Sequence, residues 1–354
     1  MLSNETNPDV SPARNELRHT KHPNADCALC NNTFSSIMDA LIYRIITYFM
    51  LQQKINNRES GIVVYGITPP KANHEPAKLR EIAEKQLARI RKLSIDGLIL
   101  YDIQDETERN SNARPFPFIE TLDSLEYSNE YLSELTLPKI IYRATGKYTK
   151  TQLQQFLTQT DATEHLTVFV GAASSKAEAN HLSLAQAYDI YQQVDTQMLL
   201  GGVTIPERHQ AKGNEQQRVF DKIHKGCSFF VSQGVYDVNA SKNFLSDYYY
   251  HSQETGQSMV PVLLTLTPCG SPQTLEFMKW LGISIPRWLE NDLLHSRDIL
   301  DKSIEISEQN WLELKAFADE KQIPIGVNVE SVAVRKVEVD ASIELLLRVQ
   351  RSFE

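Results

Sequence analysis

Short apolar runs alternate with charged, helix-periodic stretches from Gly61 to the end of the chain. The runs are Ile62–Ile67, Leu98–Asp102, Lys139–Arg143, Leu166–Val170, Met198–Val203, Ser228–Val231, Val260–Leu266 and Ile323–Val329. They are strand-length and mostly lack polar alternation, which marks strands buried on both faces. Helical patterns separate most of them. Glu75–Leu93 is charged and periodic, while Thr149–Gln159 and Ser183–Val194 open on hydroxyl residues that satisfy orphan backbone N–H groups. Asn239–Glu254, Ser271–Leu281 and Val339–Phe353 complete the set, and an enlarged insertion, Pro286–Gln322, predicts two helices at Ile299–Glu308 and Gln309–Lys321.

The stretch Leu199–Asp237 shows the repeating unit. A strand ends at Ile205-Pro206-Glu207-Arg208-His209, and a helix follows with Lys212, Glu215, Arg218, Lys222 and Lys225 on its expected wet side. The next strand ends at Ser232-Gln233. Two buried strands joined by a helix make a parallel crossover. Some eight such units in roughly 290 residues have the size of a (β/α)8 TIM barrel. An open doubly wound sheet usually carries a glycine-rich first turn, but here the first strand ends Gly66-Ile67-Thr68-Pro69-Pro70-Lys71. No G-x-G-x-x-G, P-loop or G-x-S-x-G follows any strand. The predicted fold is therefore a TIM barrel over 59–354.

Upstream, residues 1–32 read as a disordered polar tail and 33–58 as an N-terminal helix and linker. Ile37, Leu41, Ile45 and Tyr48 fall on one helical face, suited to capping one end of the barrel or to docking a partner subunit or a second copy. The tail carries Cys27 and Cys30 after His22. That is half of a zinc site, and a tetrahedral structural site needs four ligands, so no metal is expected. Cys227 and Cys269 lie at predicted strands and read as core thiols.

Of 354 residues 41% are apolar, enough for a sizeable core, and the net charge of -9 argues against a nucleic-acid-binding face. No apolar run approaches the ~20 residues that span a bilayer. With no secretory signature at the N-terminus and few cysteines, the expected location is cytoplasmic.

In a barrel, ligands bind at the carboxyl ends of the strands. Those ends offer Thr68 and Lys71, Asp102 with Gln104, Asp105 and Glu106, Arg143 and Thr145, and Ser174 and Ser175. They also offer Glu207 and His209, Gln233 with Tyr236 and Asp237, Thr267 and Cys269, and Asn328 with Glu330 and Ser331. The ring holds no metal-spaced cluster and no nucleophile beside a base. Its amides, hydroxyls and carboxylates suit a polar heteroaromatic ligand, with an organic cofactor carrying any hard chemistry. Gln233 stands out, because a desolvated amide needs partners. Arg143 suits an anion.

At these residues the chain resembles the methylenetetrahydrofolate reductase family, flavin-dependent barrels of one-carbon metabolism. Val64–Lys71 is similar to that family's F-E-F-x-P-P-K/R opening, and Pro206–His209 to its P-E-x-H segment. Gln233–Asp237 is similar to its Q-x-x-x-D, Arg143–Thr145 to its H-L-T, and Ile283–Trp288 to its I-P-x-W. The resemblance implies hydride transfer from NAD(P)H through FAD, or directly, to a folate-type substrate. It places Gln233 at the substrate and Arg143, Thr145, His209 and Lys222 at the cofactor, and the strand ends add Tyr236 and Asn328 as candidate substrate contacts. Three positions depart from the pattern: the family's acidic Glu is Gly66, its flavin-site Asp is Ala172, and the tyrosine before P-E-x-H is Ile205. Ring opening of a folate needs a proton donor of raised pKa, which glycine cannot supply. Glu207, Asp102 and Glu330 are the candidate replacement acids. The alternative reading is a divergent barrel that binds a folate, or transfers its methyl group, without reductase activity.

Overall fold

The computed structural model describes residues 50–107, 112–171 and 182–353. Cys27, Cys30, most of the predicted 33–58 helix, Ala172, Ser174 and Ser175 lie outside the described residues. Eight parallel strands close into a barrel in chain order: β1 Val63–Ile67, β2 Gly97–Leu100, β3 Lys139–Ala144, β4 His165–Val170, β5 Leu200–Thr204, β6 Cys227–Gly234, β7 Val262–Leu266 and β8 Ile325–Glu330. This is a (β/α)8 TIM barrel.

Side-chain alternation explains why the strands read as unbroken apolar runs. Val64, Ile99, Ile140, Tyr142, Leu166, Val168, Phe229, Val231 and Leu263 pack together inside the barrel. Their neighbours Val63, Tyr65, Leu98, Leu100, Ile141, Phe169 and Phe230 belong to the layer between strands and helices. Both faces are covered, so both are apolar. Helical residues 50–56 send Leu51 and Ile55 into the interior cluster. Gly97, which opens β2, makes room for them: a Cβ there would stand 2.9 Å from the Leu51 side chain.

The outer helices are α1 Pro76–Ile90, α2 Ser124–Tyr131, α3 Lys150–Gln159, α4 Leu184–Gln193, α5 Pro206–Lys212, α6 Glu215–His224 and α7 Val238–Thr255. They continue as α8 Pro272–Trp280, α9 Arg287–His295, α10 Ile299–Lys321 and α11 Lys336–Gln350. Ser183 caps α4 as its sequence predicts. Its Oγ accepts from the Gln186 N–H at 3.3 Å and the Gln186 amide oxygen accepts from the Ser183 N–H at 2.9 Å. Ser183→Ala removes the bond to Oγ while keeping the backbone N–H donor, and urea unfolding is expected to show a loss of about 1 kcal/mol.

Three local expectations change. The helix expected after β5 is two helices, broken at Gly213, whose φ of 63° ends α5. Glu215 then opens α6 with no exposure instead of lying on a wet face, because its carboxylate accepts from Thr204 Oγ1, the Ile205 N–H and Arg208. The two helices expected within the insertion are one continuous helix of 23 residues, α10. Trp288 is 63% exposed, whereas Trp280 is buried and stacked on Phe277. Between β7 and α10, α8 and α9 form a small cap with its own core of Leu275, Met278, Ile283, Leu289 and Leu293, joined by Tyr236 from beyond β6.

Candidate functional site

The inward positions at the carboxyl ends of β8, β1 and β2 converge on one polar cluster. Gly66 on β1 pairs in register with Glu330 on β8. Asn328 lies two residues earlier on β8 and so shares the face of Glu330. A Cβ at Gly66 would stand 2.8 Å from the Tyr101 ring and 3.2 Å from Asn328 Oδ1. The place of the missing side chain is thus filled by a tyrosine ring, itself set edge-on to Tyr142 with centroids 4.8 Å apart.

Asn328 Nδ2 donates to Tyr101 Oη at 2.8 Å and to Thr265 Oγ1 at 3.1 Å, and it lies 3.5 Å from Glu330 Oε2. The Thr265 hydroxyl donates onward to the Ser232 carbonyl at 2.6 Å. Asn328 Oδ1 is buried with no partner. Burial lifts the Glu330 carboxyl above the ordinary carboxylate range, although hydrogen bonds from Tyr101 and Asn328 oppose it. Burial also raises the Tyr101 and Tyr142 hydroxyls, with the Glu330 charge adding to the effect. The barrel mouth therefore combines a buried unpaired acceptor, a carboxyl biased toward its neutral form and two aromatic rings.

The other two candidate acids sit elsewhere. Asp102 is fully engaged as an acceptor: Oδ2 takes the Ala144 N–H at 2.9 Å and the Tyr148 hydroxyl at 2.8 Å, and Oδ1 pairs with Lys147. It ties the end of β2 to the turn after β3. Glu207, in the first turn of α5, is buried with both carboxylate oxygens unpartnered. Desolvation, supplemented by the charges of Asp237 and Glu215, pushes its pKa up to about 8.

The residues that the resemblance places at a flavin are not among the side chains of the mouth cluster. On β3, Tyr142 faces inward, so Arg143 faces out, its guanidinium 4.2 Å over the Phe156 ring of α3 and bonded to Asp123 and Tyr148. The Thr145 hydroxyl donates to the Val170 carbonyl at 3.2 Å. His209 lies between helices, Nε2 against Asp247 at 3.0 Å and Nδ1 accepting from the Glu215 N–H at 3.3 Å. Lys222 is half-buried. It donates to the Val203 carbonyl at 2.5 Å, and burial draws its pKa down to about 8. All four have polar groups engaged within the wall and helix layer.

Of the nominated substrate residues, Asn328 belongs to the mouth. Gln233 donates from Nε2 to the Leu281 carbonyl at 2.9 Å, joining the end of β6 to the cap. Tyr236 is buried in the cap core, its hydroxyl donating to the Thr267 carbonyl at 2.6 Å. The sequence motifs do not include Tyr101 and Tyr142. Two-residue periodicity from Gly66 and Asn328 is the signal that points to such inward positions.

The loop after β2 crosses the rim at the β1 end. The Leu122 N–H donates to the Pro70 carbonyl and the Ala72 N–H to the Glu120 carbonyl, each at 2.9 Å. Farther along, the Trp280 indole N–H donates to the Asn112 carbonyl at 2.9 Å, and Arg114 lies 5.2 Å from the Trp280 ring centroid. The loop thus ties β1 to the cap. Among the described residues there is no group of three or more His, Cys, Asp or Glu side chains placed to hold a metal ion. Among them, too, no helix is long and apolar enough to cross a membrane.

No protein-family model and no curated protein matches the chain. Among solved structures, an uncharacterized protein from Clostridium thermocellum that binds two copies of 5-methyl-5,6,7,8-tetrahydrofolic acid is 52% identical, with a TM-score of 0.76, over 85% of this chain and 99% of that one. Xanthomonas albilineans dihydropteroate synthase, at 11% identity and a TM-score of 0.41 over 85% of this chain and 97% of that one, is too distant to carry an argument. The same holds for the EDTA monooxygenase of a Chelativorans species, at 8% and 0.48 over 84% and 94%. On the strength of 52% identity across nearly the whole of the other chain, this protein belongs to the same family as the methyltetrahydrofolate-binding barrel of Clostridium thermocellum.

Proposed function

We propose that this protein is a reduced-folate-binding barrel that seats the pterin of a 5-methyltetrahydrofolate-type ligand at the mouth formed by Gly66, Tyr101, Asn328 and Glu330. The carrying observation is the relative, 52% identical, that binds 5-methyltetrahydrofolic acid. The site chemistry supports it. The 2-amino-4-oxo edge of a pterin presents adjacent N–H donors beside a carbonyl acceptor. Asn328 Oδ1 is a buried acceptor without a donor, and a buried polar atom left unpaired costs about 1–3 kcal/mol. A ligand N–H would remove that cost. Glu330, when neutral, offers both a donor and an acceptor, and the Tyr101 and Tyr142 rings suit a flat heterocycle.

The same features favour binding over hydride transfer. The position of the reductase acid is Gly66, and the side chains expected to hold FAD are bonded elsewhere in the fold. Glu330, in register beside Gly66, is the acid on which a reductase reading would have to draw. Thermal unfolding with 5-methyltetrahydrofolate separates the two readings when paired with an assay of NAD(P)H oxidation in the presence of methylenetetrahydrofolate. At a ligand concentration 100 times Kd, stabilisation of about 2.7 kcal/mol is expected, with no nicotinamide oxidation and no flavin absorbance in the purified protein. Absence of ligand-dependent stabilisation refutes the binding reading, and folate-dependent nicotinamide oxidation replaces it with the reductase.

A further inference from the structure

A cavity of about 570 Å³ lies outside the barrel wall, between α2 and α3. Ligand sites commonly fall between 300 and 1,000 Å³. Helix α2, of 8 residues, forms one side of it and α3 the other. Its walls are apolar at Leu125, Leu153 and Phe156, with the amides of Gln152 and Gln155 at the rim. Arg143 lies against it, its side chain only 5% exposed.

The arginine is incompletely paired. Nη1 donates to Asp123 at 2.5 Å and to the Tyr148 hydroxyl at 2.9 Å, but Nε is buried with no partner. A guanidinium carries five N–H donors in a planar fork made for carboxylates. Held 4.2 Å over the Phe156 ring, it is a pre-positioned cation beside an aromatic wall. Deeper in the cavity, His165 is uncharged at neutral pH, burial having drawn its pKa down to about 4, and it bonds Ser128. The cavity thus offers an apolar slot, amide hydrogen-bonding groups and a guanidinium with one unpartnered N–H, beside the Asp161 and Glu164 residues that also line it. Those are the requirements of an aromatic amide bearing a carboxylate.

We infer that this cavity seats a second molecule of the reduced folate, with a carboxylate of its glutamate tail against Arg143. The inference rests on the proposed function for the identity of the ligand, and on the two copies bound by the Clostridium thermocellum relative for the number. The mouth cluster around Asn328 is separate from it: Asn328 faces into the barrel and Arg143 faces out.

Calorimetric titration of 5-methyltetrahydrofolate into the full chain tests it. Wild type is expected to bind two equivalents. Gln155→Trp, which fills the cavity from an exposed position, should bind one, with the remaining affinity unchanged. Arg143→Gln should weaken that same equivalent at least tenfold, and Asn328→Ala should weaken only the other. Two undisturbed equivalents in Gln155→Trp overturn the cavity site, as does a single wild-type equivalent that only Asn328→Ala weakens. A single equivalent lost in Gln155→Trp but untouched by Asn328→Ala upholds the cavity and refutes the mouth. No binding at all refutes both.

Discussion

Glu207→Gln is expected to make the protein markedly more stable at pH 8.5 while leaving it almost unchanged at pH 5. The Glu207 carboxyl is buried and has no hydrogen-bond partner, and desolvation pushes its pKa up to about 8 from the 4.5 of a solvated glutamate. A raised folded pKa means that the native state holds the proton where the unfolded state has released it. Stability from this group is therefore fully present below about 4.5 and declines as pH rises to about 8. Each unit in that window is worth about 1.4 kcal/mol, so the loss is on the order of 4–5 kcal/mol by pH 8.5. Glutamine keeps the shape and removes the titration. His165 acts on the other side: its depressed pKa costs stability as pH falls from 6.5 toward 4. Subtracting the two proteins' urea-unfolding profiles cancels His165 and leaves Glu207. Parallel profiles would show that the carboxylate is solvated after all.

The second large effect is expected at the mouth. Asn328→Ala should weaken 5-methyltetrahydrofolate by about 10- to 100-fold, equivalent to about 1.4–2.8 kcal/mol. The loss follows from removing the one buried acceptor of the cluster that lacks a donor, Oδ1. The unliganded protein should suffer less than a buried deletion usually causes. The variant loses the bonds from Nδ2 to Tyr101 and Thr265 but also sheds an unsatisfied oxygen. An affinity equal to wild type, measured by titration, would move the pterin away from β8. Glu330→Gln is the companion: it holds the shape while deleting a titrating group, so any dependence of binding on the Glu330 proton should vanish.

The barrel was legible because parallel strands covered on both faces leave uninterrupted apolar runs, and each of the eight runs became a strand within a few residues. The same property hid which way each strand end points. In β3, Tyr142 and Arg143 are adjacent and both buried, yet one faces the interior and the other the helices, and apolarity on both faces gives no cue to choose. Arg143 therefore read as a mouth residue when it belongs to the wall. Lys222 and Glu215 misled for a related reason. Each is charged on a helix, but long-range contacts with β5 bury Glu215 and half-bury Lys222, and helical periodicity does not report such contacts. Helix α2 escaped notice because its sequence, Ser124–Tyr131, is short and polar and owes its start to the Asp123 cap.

The pairing of Gly66 with Glu330 was out of reach for a different reason. These positions come from the first and last strands, and only barrel closure brings them into register. The sequence showed that an acid was missing at Gly66 and named Glu330 among its replacements. Closure is what sets the two side by side, with Tyr101 and Asn328 filling the gap between them.

A crystal structure of the full chain grown with 5-methyltetrahydrofolate tests the mouth assignment most directly. The pterin is expected between Tyr101 and the β8 edge, with one of its N–H groups within hydrogen-bond distance of Asn328 Oδ1. Clear ligand density elsewhere, with Asn328 Oδ1 still unpaired, would contradict it.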